Sequence, residues 1–278
     1  MKITLHDQTV FASNGSIDWQ QRPPDRPALV FLHGAAMDHT IWTLPVRRFA
    51  RKGYRVVALD LPGHGRSAGP ALTRIEDLSS WLVEVLDKLE TSSAMLVGHS
   101  MGSLIAFDFA LKNPARCEKL ALLGTSLPMP VGEQLLAAAK NNDPLAIEMS
   151  NIWSHSRTGR IGGGGVPGEW PLGLGKRLMQ RAGVDLLYTD LAACNDYGAL
   201  EDLPGVAAEK VELLPMPCLL VLGEQDLMTP SHRGQRVKDY FLEAKSVTIP
   251  NCGHAMLSEQ PNAVLDALSE HMDQVLSR

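Results

Sequence analysis

No stretch of this chain approaches the roughly 20 consecutive apolar residues that a membrane-crossing helix needs. The start, Met1-Lys-Ile-Thr-Leu-His-Asp7, also lacks the long apolar run of a secretory leader. Neither a membrane span nor export is expected. Cysteine is scarce: Cys117, Cys194, Cys218 and Cys252 are scattered, with no close pair. That excludes a disulfide framework and points to reduced thiols in a cytoplasmic protein. There is no His-Glu-x-x-His run and no clustered Cys/His spacing, so no metal is expected. There is no Gly-x-x-x-x-Gly-Lys phosphate loop, and no Gly-x-Gly-x-x-Gly follows the first strands. Gly162 to Gly165 has no strand before it and reads as a flexible loop. No cofactor is expected. Lys plus Arg number 26 against 31 Asp plus Glu, a formal net charge of -5. With no basic stripe carrying interleaved aromatics, nucleic acid is not an expected partner.

What remains is a balanced chain of 278 residues, 45% hydrophobic. That is enough for one large core, or a core with a small cap. Short strands are expected near Ile3–Leu5 and Val10–Ala12, then a turn at Pro23, Pro24 and Pro27. Ala28–Leu32 is continuously apolar, as a strand buried on both faces would be. Trp42–Arg51 reads as helix, Arg55–Leu59 as the next central strand. Ile75–Leu89 is amphipathic, with Leu78, Leu82, Val85, Leu86 and Leu89 on one face. An apolar strand leads to His99, a helix runs from Gly102 to about Lys112, and a strand covers Lys119–Leu123. Strand, helix and strand in repetition imply right-handed crossovers and a parallel sheet covered on both faces.

From about Thr125 to Leu214 the rhythm changes to helical stretches broken by glycine and proline. Glu133–Lys140 and Val184–Cys194 read as helices. Asp143-Pro144 is a helix start, with a capping acid and proline in the first turn. Gly159 to Gly175 looks loose. A core strand returns at Cys218–Leu222, a short β-rich run follows from Ser246, and a last helix covers about Pro261–Leu276.

The chemistry gathers at three places. Met95-Leu-Val-Gly-His-Ser-Met-Gly102 is a strand, then Gly98-x-Ser100-x-Gly102, then a helix start. A serine hydroxyl is a poor nucleophile unless it is held out of its surroundings and given a base. A sharp strand-to-helix turn does the first. The glycines leave room, and the helix N-terminus sets N–H groups beside the reacting oxygen. The base candidate is His254, after the run Ser246 to Gly253. The acid candidate is Asp226, after the apolar strand Leu219-Leu-Val-Leu-Gly223. All three stand just past the carboxyl ends of expected strands, where sites form in open α/β sheets. Glu224 is a rival acid two residues away, and Asp226 could instead cap the helix start at Met228-Thr-Pro-Ser231.

In order and spacing, these pieces resemble the α/β-hydrolase family, from about Thr4 to the end. Besides the Ser100 turn, the matching runs are Leu32-His33-Gly34-Ala35, Leu59-Asp-Leu-Pro-Gly-His-Gly-Arg-Ser67, Gly223-Glu-Gln-Asp226 and Asn251-Cys-Gly-His254. The resemblance implies an α/β-hydrolase fold: a mostly parallel eight-stranded sheet, helices on both faces, and a helical lid inserted after the sixth strand. The core would comprise residues 1–125 and 215–278, the lid 126–214. It implies a Ser100, Asp226 and His254 triad, with Asp226 favoured over Glu224 by its spacing after Gly223. The oxyanion would be held by the backbone N–H groups of Ala35 and Met101. The expected activity is hydrolysis of carboxylic esters of small to medium apolar molecules through an acyl-enzyme. Fold does not fix reaction, so three alternatives stand. These are hydrolysis of a carbon–carbon bond in diketone-type substrates, a cofactor-free perhydrolase or haloperoxidase, and a ligand receptor with little turnover.

Pocket walls are expected from His33, Gly34, His99, Met129 and Trp153, although His33 and His64 also suit hydrogen-bonded pins of tight loops. Lid residues Leu135, Met149, Trp170, Leu174 and Met179 would build a small core or face the cleft. Arg66 and Ser67 finish a turn after Asp60. His6, His39, His155, His232 and His271 read as surface or lid residues. Cys252 lies two residues before His254, so a thiol reagent there is expected to block the site.

Overall fold

The computed structural model describes residues 1–16, 19, 27–163, 168–198 and 213–273. Its centre is one eight-stranded sheet in the order β1-β2-β4-β3-β5-β6-β7-β8. The strands are β1 (Lys2–Leu5), β2 (Gln8–Ser13), β3 (Ala28–Leu32), β4 (Arg55–Leu59), β5 (Ala94–His99), β6 (Cys117–Leu123), β7 (Cys218–Gly223) and β8 (Ala244–Ile249). β3 to β8 pair in parallel, while β1 and β2 form an antiparallel hairpin whose second strand pairs antiparallel with β4.

Burial explains the strand compositions. Every residue of β3, β4, β5 and β7 is buried, which suits strands covered by helices on both faces. Strand β1 alternates exposed and buried, as a half-covered edge should. Alternate residues of β3 feed two cores. Val30 and Leu32 join α2 (Ile75–Lys88) and α3 (Met101–Lys112) through Leu78, Leu82, Leu104 and Phe107. Leu29 and Phe31 face the other way. They pack with Trp42, with Val46 and Phe49 of α1 (Thr43–Arg51), and with Val264 and Leu268 of α11 (Pro261–Asp273).

Among the described residues between β6 and β7 stand α4 (Glu133–Lys140), α5 (Pro144–Ser154), α6 (Arg157–Arg160), α7 (Pro171–Gln180) and α8 (Leu186–Asp196). Leu135, Ala139, Ala146 and Leu191 form their small core, with Met149 and Trp153 packed against it. The short α9 (Ser231–Gly234) follows β7, and α10 (Met256–Glu259) follows the His254 loop.

Three expectations need correction. The stretch Gly159 to Gly175 is not loose throughout, because α7 begins at Pro171. The two glycines of α7 serve close packing: a Cβ on Gly173 would sit 2.3 Å from the Trp170 ring, and one on Gly175 would sit 2.7 Å from Asn151 Oδ1. His271 is buried, not a surface residue, since the Leu120 carbonyl accepts from its ring; His155, in the expected lid segment at the end of α5, is buried too and donates to Asn151 O. Cys252 is fully buried, and burial pushes its thiol well above the ordinary range, so it is no target for a reagent. Pro23 and Pro24 of the expected turn lie outside the described residues, as do Gly164 and Gly165. No helix among the described residues is long and apolar enough to cross a membrane.

Candidate active site

Strand β5 ends at His99, and α3 opens at Met101. Ser100 between them holds φ 54°, ψ −120°, a conformation that costs a side-chain-bearing residue about 1–3 kcal/mol. The surroundings enforce it. Ser100 N–H donates to Leu123 O at 2.9 Å, and its carbonyl accepts from Ser103 N–H at 2.8 Å. Both flanking glycines are dictated by close approach. A Cβ on Gly98 would lie 2.1 Å from Gly102 O, and one on Gly102 would lie 2.2 Å from Leu32 O. Any other residue at either position would force the turn open.

His254 and Asp226 are both buried, and His254 Nδ1 lies 2.8 Å from Asp226 Oδ2. Asp226 Oδ1 accepts from Met228 N–H and Thr229 N–H, each at 2.8 Å, and Oδ2 accepts from Thr229 Oγ1 at 2.8 Å. Burial alone would raise this carboxyl, but His254 beside it and the Thr229 hydrogen bonds hold it below the ordinary value. Asp226 does not cap the helix that follows, which starts at Ser231 with Pro230 at its N-cap and no side-chain cap bond; its Oδ1 instead closes the turn at Met228 and Thr229, while Oδ2 meets His254. An ionised Asp226 keeps the proton on Nδ1 and leaves Nε2 as the basic nitrogen. Glu224 is exposed and accepts from Asn251 N–H instead. No hydrogen bond among the described residues involves Ser100 Oγ or His254 Nε2. In free enzymes such contacts are often long and tighten only around substrate.

Three residues that sequence reasoning missed brace the site. Thr229 Oγ1 sits 3.2 Å from His254 Nδ1 as well as on Asp226. Glu259 is buried and accepts from Gly253 N–H at 2.9 Å and Ser156 N–H at 2.7 Å, joining the His254 loop to the end of α5. Asp190 on α8 reaches the loop after β3 through Ala36 N–H at 2.7 Å. A lone acid within Leu186-Leu-Tyr-Thr-Asp-Leu-Ala-Ala-Cys194 was the available signal, since a charge in such company needs a partner.

A cleft of about 370 Å³ opens at Ser100 and is walled by Ala35, Met129, Leu135, Trp153 and Leu191. Met129 and Trp153 therefore stand where pocket walls were expected. His33, Gly34 and His99 do not line it. His33 is buried beneath, its Nε2 accepting from Leu61 N–H at 3.1 Å. His99 turns away and donates from Nε2 to His254 O at 2.9 Å, with burial first and His254 second lowering its pKa to about 3. Gly34 is a close-approach position, where a Cβ would come within 3.1 Å of Ser100 Cβ. The N–H groups of Ala35 and Met101 have no partner among the described backbone hydrogen bonds outside regular elements, and Met101 is at the first turn of α3, where N–H groups are free to receive an anion. A further cleft of about 420 Å³, between the β1–β2 hairpin and α2, holds none of these residues.

Asp38, His39 and Asp60 each bring one potential metal-ligand atom within 4.8 Å of the others. Those atoms already have partners. Asp60 accepts from His39 and from Arg66 N–H, and Asp38 accepts from Thr40 N–H and Arg181. The cluster is a hydrogen-bonded turn, and Arg66 and Ser67 complete it.

Residues 29–267 match the model of the family described as "Alpha/beta hydrolase family". A pimeloyl-[acyl-carrier protein] methyl ester esterase of Nitrosospira multiformis is 29% identical over 252 residues, covering 85% of this chain and 90% of that protein. An uncharacterized carboxylesterase of Bacillus subtilis is 27% identical over 252 residues, covering 87% of this chain and 78% of that protein. A solved thermophilic esterase from Thermogutta terrifontis shares the fold with a TM-score of 0.79, covering 99% of this chain and 98% of that one at 21% identity.

Proposed function

The chain belongs to the alpha/beta hydrolase family, and from that premise we propose that it hydrolyses carboxylic esters of small to medium apolar molecules through an acyl-enzyme on Ser100. The observation that carries this reading is the buried Asp226–His254 pair at 2.8 Å, set at the same sheet edge as a strained Ser100 that opens onto an apolar cleft.

Ser100 Oγ attacks the carbonyl carbon while His254 Nε2 takes its proton. The oxyanion that forms is received by the N–H groups of Ala35 and Met101. One such donor is worth about 3–4 kcal/mol of barrier. His254 then gives the proton to the departing alcohol, leaving the acyl group on Ser100. A water, deprotonated by Nε2, attacks that acyl carbon. The acid leaves and the proton returns to Ser100 Oγ. Asp226 holds the imidazole in the needed tautomer and balances its charge during both halves. Residues 126–214 act as a lid over the core of 1–125 and 215–278. Their contribution is the apolar wall of Met129, Leu135, Trp153 and Leu191, which suits an apolar chain, while Arg233 lines the same cleft from the core.

The test is hydrolysis of p-nitrophenyl esters of graded acyl length by the parent and by Ser100→Ala. Turnover by the parent alone is expected, with an optimum length that the cleft sets. Hydrolysis of no ester, or equal hydrolysis by both proteins, would overturn the reading.

A further inference from the structure

A charge inside a protein persists only with a partner and satisfied hydrogen bonds. Asp190 is 1% exposed. Its Oδ2 takes two hydrogen bonds, one from Ala36 N–H at 2.7 Å and one from His64 Nε2 at 2.8 Å, while Oδ1 is buried without a hydrogen-bond partner among the described residues, so the ion pair with His64 is what holds the carboxylate there. The other ring nitrogen of His64, Nδ1, lies 2.9 Å from Pro62 O. A carbonyl oxygen can only accept, so Nδ1 carries a proton. The Asp190 carboxylate also accepts, so Nε2 carries one too. Both nitrogens protonated is the imidazolium. His64 is therefore a buried cation, itself 1% exposed, paired with a buried anion on a different part of the chain.

The surroundings agree with that assignment. Burial opposes charge on His64, but the Asp190 hydrogen bond and charge outweigh it, and its pKa is raised. Asp60 adds to the rise. His33 lies against the same ring, 4.9 Å between centroids, but its Nε2 accepts a hydrogen bond and burial keeps it neutral, with a pKa of about 4. Cys194, one turn along α8 from Asp190, stays a thiol because burial and then Asp190 raise it.

Two things hang on this pair. Ala36 follows Ala35 directly and holds φ 52°, a strained state for alanine that the Asp190 bond helps to keep. On the same helix as Asp190, Leu191 and Cys194 line the Ser100 cleft. Helix α8 thus touches the substrate space with one set of residues and the oxyanion loop with another.

We propose that Asp190 is a positioning residue for the oxyanion hole. Through Ala36 N–H and the His64 cation, it fixes the loop that presents Ala35 N–H and ties that donor to the placement of α8 over the substrate. This rests on the reading of Ala35 as an oxyanion donor. An acyl group that fills the space against Leu191 holds α8, and with it the donor, so chain length is sensed in kcat as well as in KM.

The test is Asp190→Asn, which keeps shape and an acceptor for Ala36 but removes the charge. On the best p-nitrophenyl ester, kcat is expected to fall about 10- to 100-fold, less than the roughly 10²- to 10³-fold of removing an oxyanion donor outright because the Ala35 N–H is displaced and not deleted, with KM within about twofold. Independently of turnover, NMR of the His64 ring is expected to show two N–H protons persisting above pH 6.5 in the parent. In the variant, one is lost at lower pH. Should Asp190→Asn fail to fold, His64→Gln removes the cation, leaves Asp190 in place, and is expected to show the same kcat loss. Unchanged kcat in a folded variant, or a singly protonated His64 in the parent, would overturn the proposal alone. A parent that hydrolyses no ester and is not labelled at Ser100 by a fluorophosphonate would instead overturn the underlying reading, and this proposal with it.

Discussion

Gly124, just past β6, is where one added methyl would tell most about the base. Its φ is +54°, and a Cβ built there would stand 2.9 Å from both Cε1 and Nδ1 of His254 and 3.6 Å from Asp226 Oδ2. Gly124→Ala therefore has two effects. Alanine in this left-handed region costs about 1–2 kcal/mol. Ordinary carbon contacts lie near 3.5 Å, so the imidazole must retreat by about 0.6 Å. It has little freedom to do so, because Nδ1 is bonded to Asp226 at 2.8 Å and the His254 carbonyl is held by His99 at 2.9 Å. A retreat of that size, straight away from the new methyl, lengthens the Asp226 bond from 2.8 Å only to about 3.0 Å, still within hydrogen-bond range, so displacement of the ring itself, not loss of that bond, disturbs the site. Misplacing a catalytic group by about 1 Å can cost 10²-fold. We expect kcat on the best p-nitrophenyl ester to fall about 10- to 100-fold, with KM little changed because Gly124 is not on the cleft wall. Thermal unfolding is expected roughly 2–8 °C lower. Steady-state kinetics and calorimetry on the same preparation read both. A folded variant with kcat within twofold of the parent would refute the reasoning.

Acid should destabilise the fold through buried neutral histidines. Burial first lowers His33 to about 4, His99 to about 3 and His271 to about 4, from an ordinary 6.5. As pH falls below 6.5 the unfolded chain takes up these protons first, so stability is lost between 6.5 and the folded values. At pH 5 each costs about 2 kcal/mol. His64, with its raised pKa, acts in the opposite sense: its contribution is present below 6.5 and fades as pH rises through the folded value. Urea midpoints at pH 7 and pH 5 check the balance, and an equal or higher midpoint at pH 5 would contradict it. All four cysteines are free and buried, so iodoacetamide is expected to leave the native mass and ester hydrolysis unchanged. Alkylation of Cys252 in the native protein, with loss of activity, would show that the His254 loop opens, whereas alkylation of Cys194 would show entry through the Ser100 cleft that it lines.

Much of the frame is legible along the chain because backbone geometry dictates residue type. Ala28–Leu32 and Arg55–Leu59 match the observed strands residue for residue, since a strand covered on both faces is an almost wholly apolar run, Arg55 at the start of β4 being the exception. Gly98 and Gly102 stand where no Cβ fits, so the Ser100 turn reads from local residues alone. The pieces that escape depend on distant partners. A pocket role for His33 and a buried cation at His64 differ only in which atoms face each ring. For His64 that atom belongs to Asp190, 126 residues away. His271 reads as a surface residue until Leu120 O, 151 residues away, is placed against its ring. Helix α7 is hidden by its own glycines, which look like flexibility but make room for Trp170 and Asn151. Glu259 gives no local sign that it binds the loop before His254 and the end of α5 together.

The most direct test of the account is to look for the acyl-enzyme itself. The parent would be mixed with a p-nitrophenyl ester, quenched in acid during turnover, digested and weighed by mass spectrometry. The account predicts the acyl mass on the peptide that carries Ser100, gone once the ester is exhausted and never formed in Ser100→Ala. Steady turnover with no acyl group on Ser100, or with one on another residue, would contradict it.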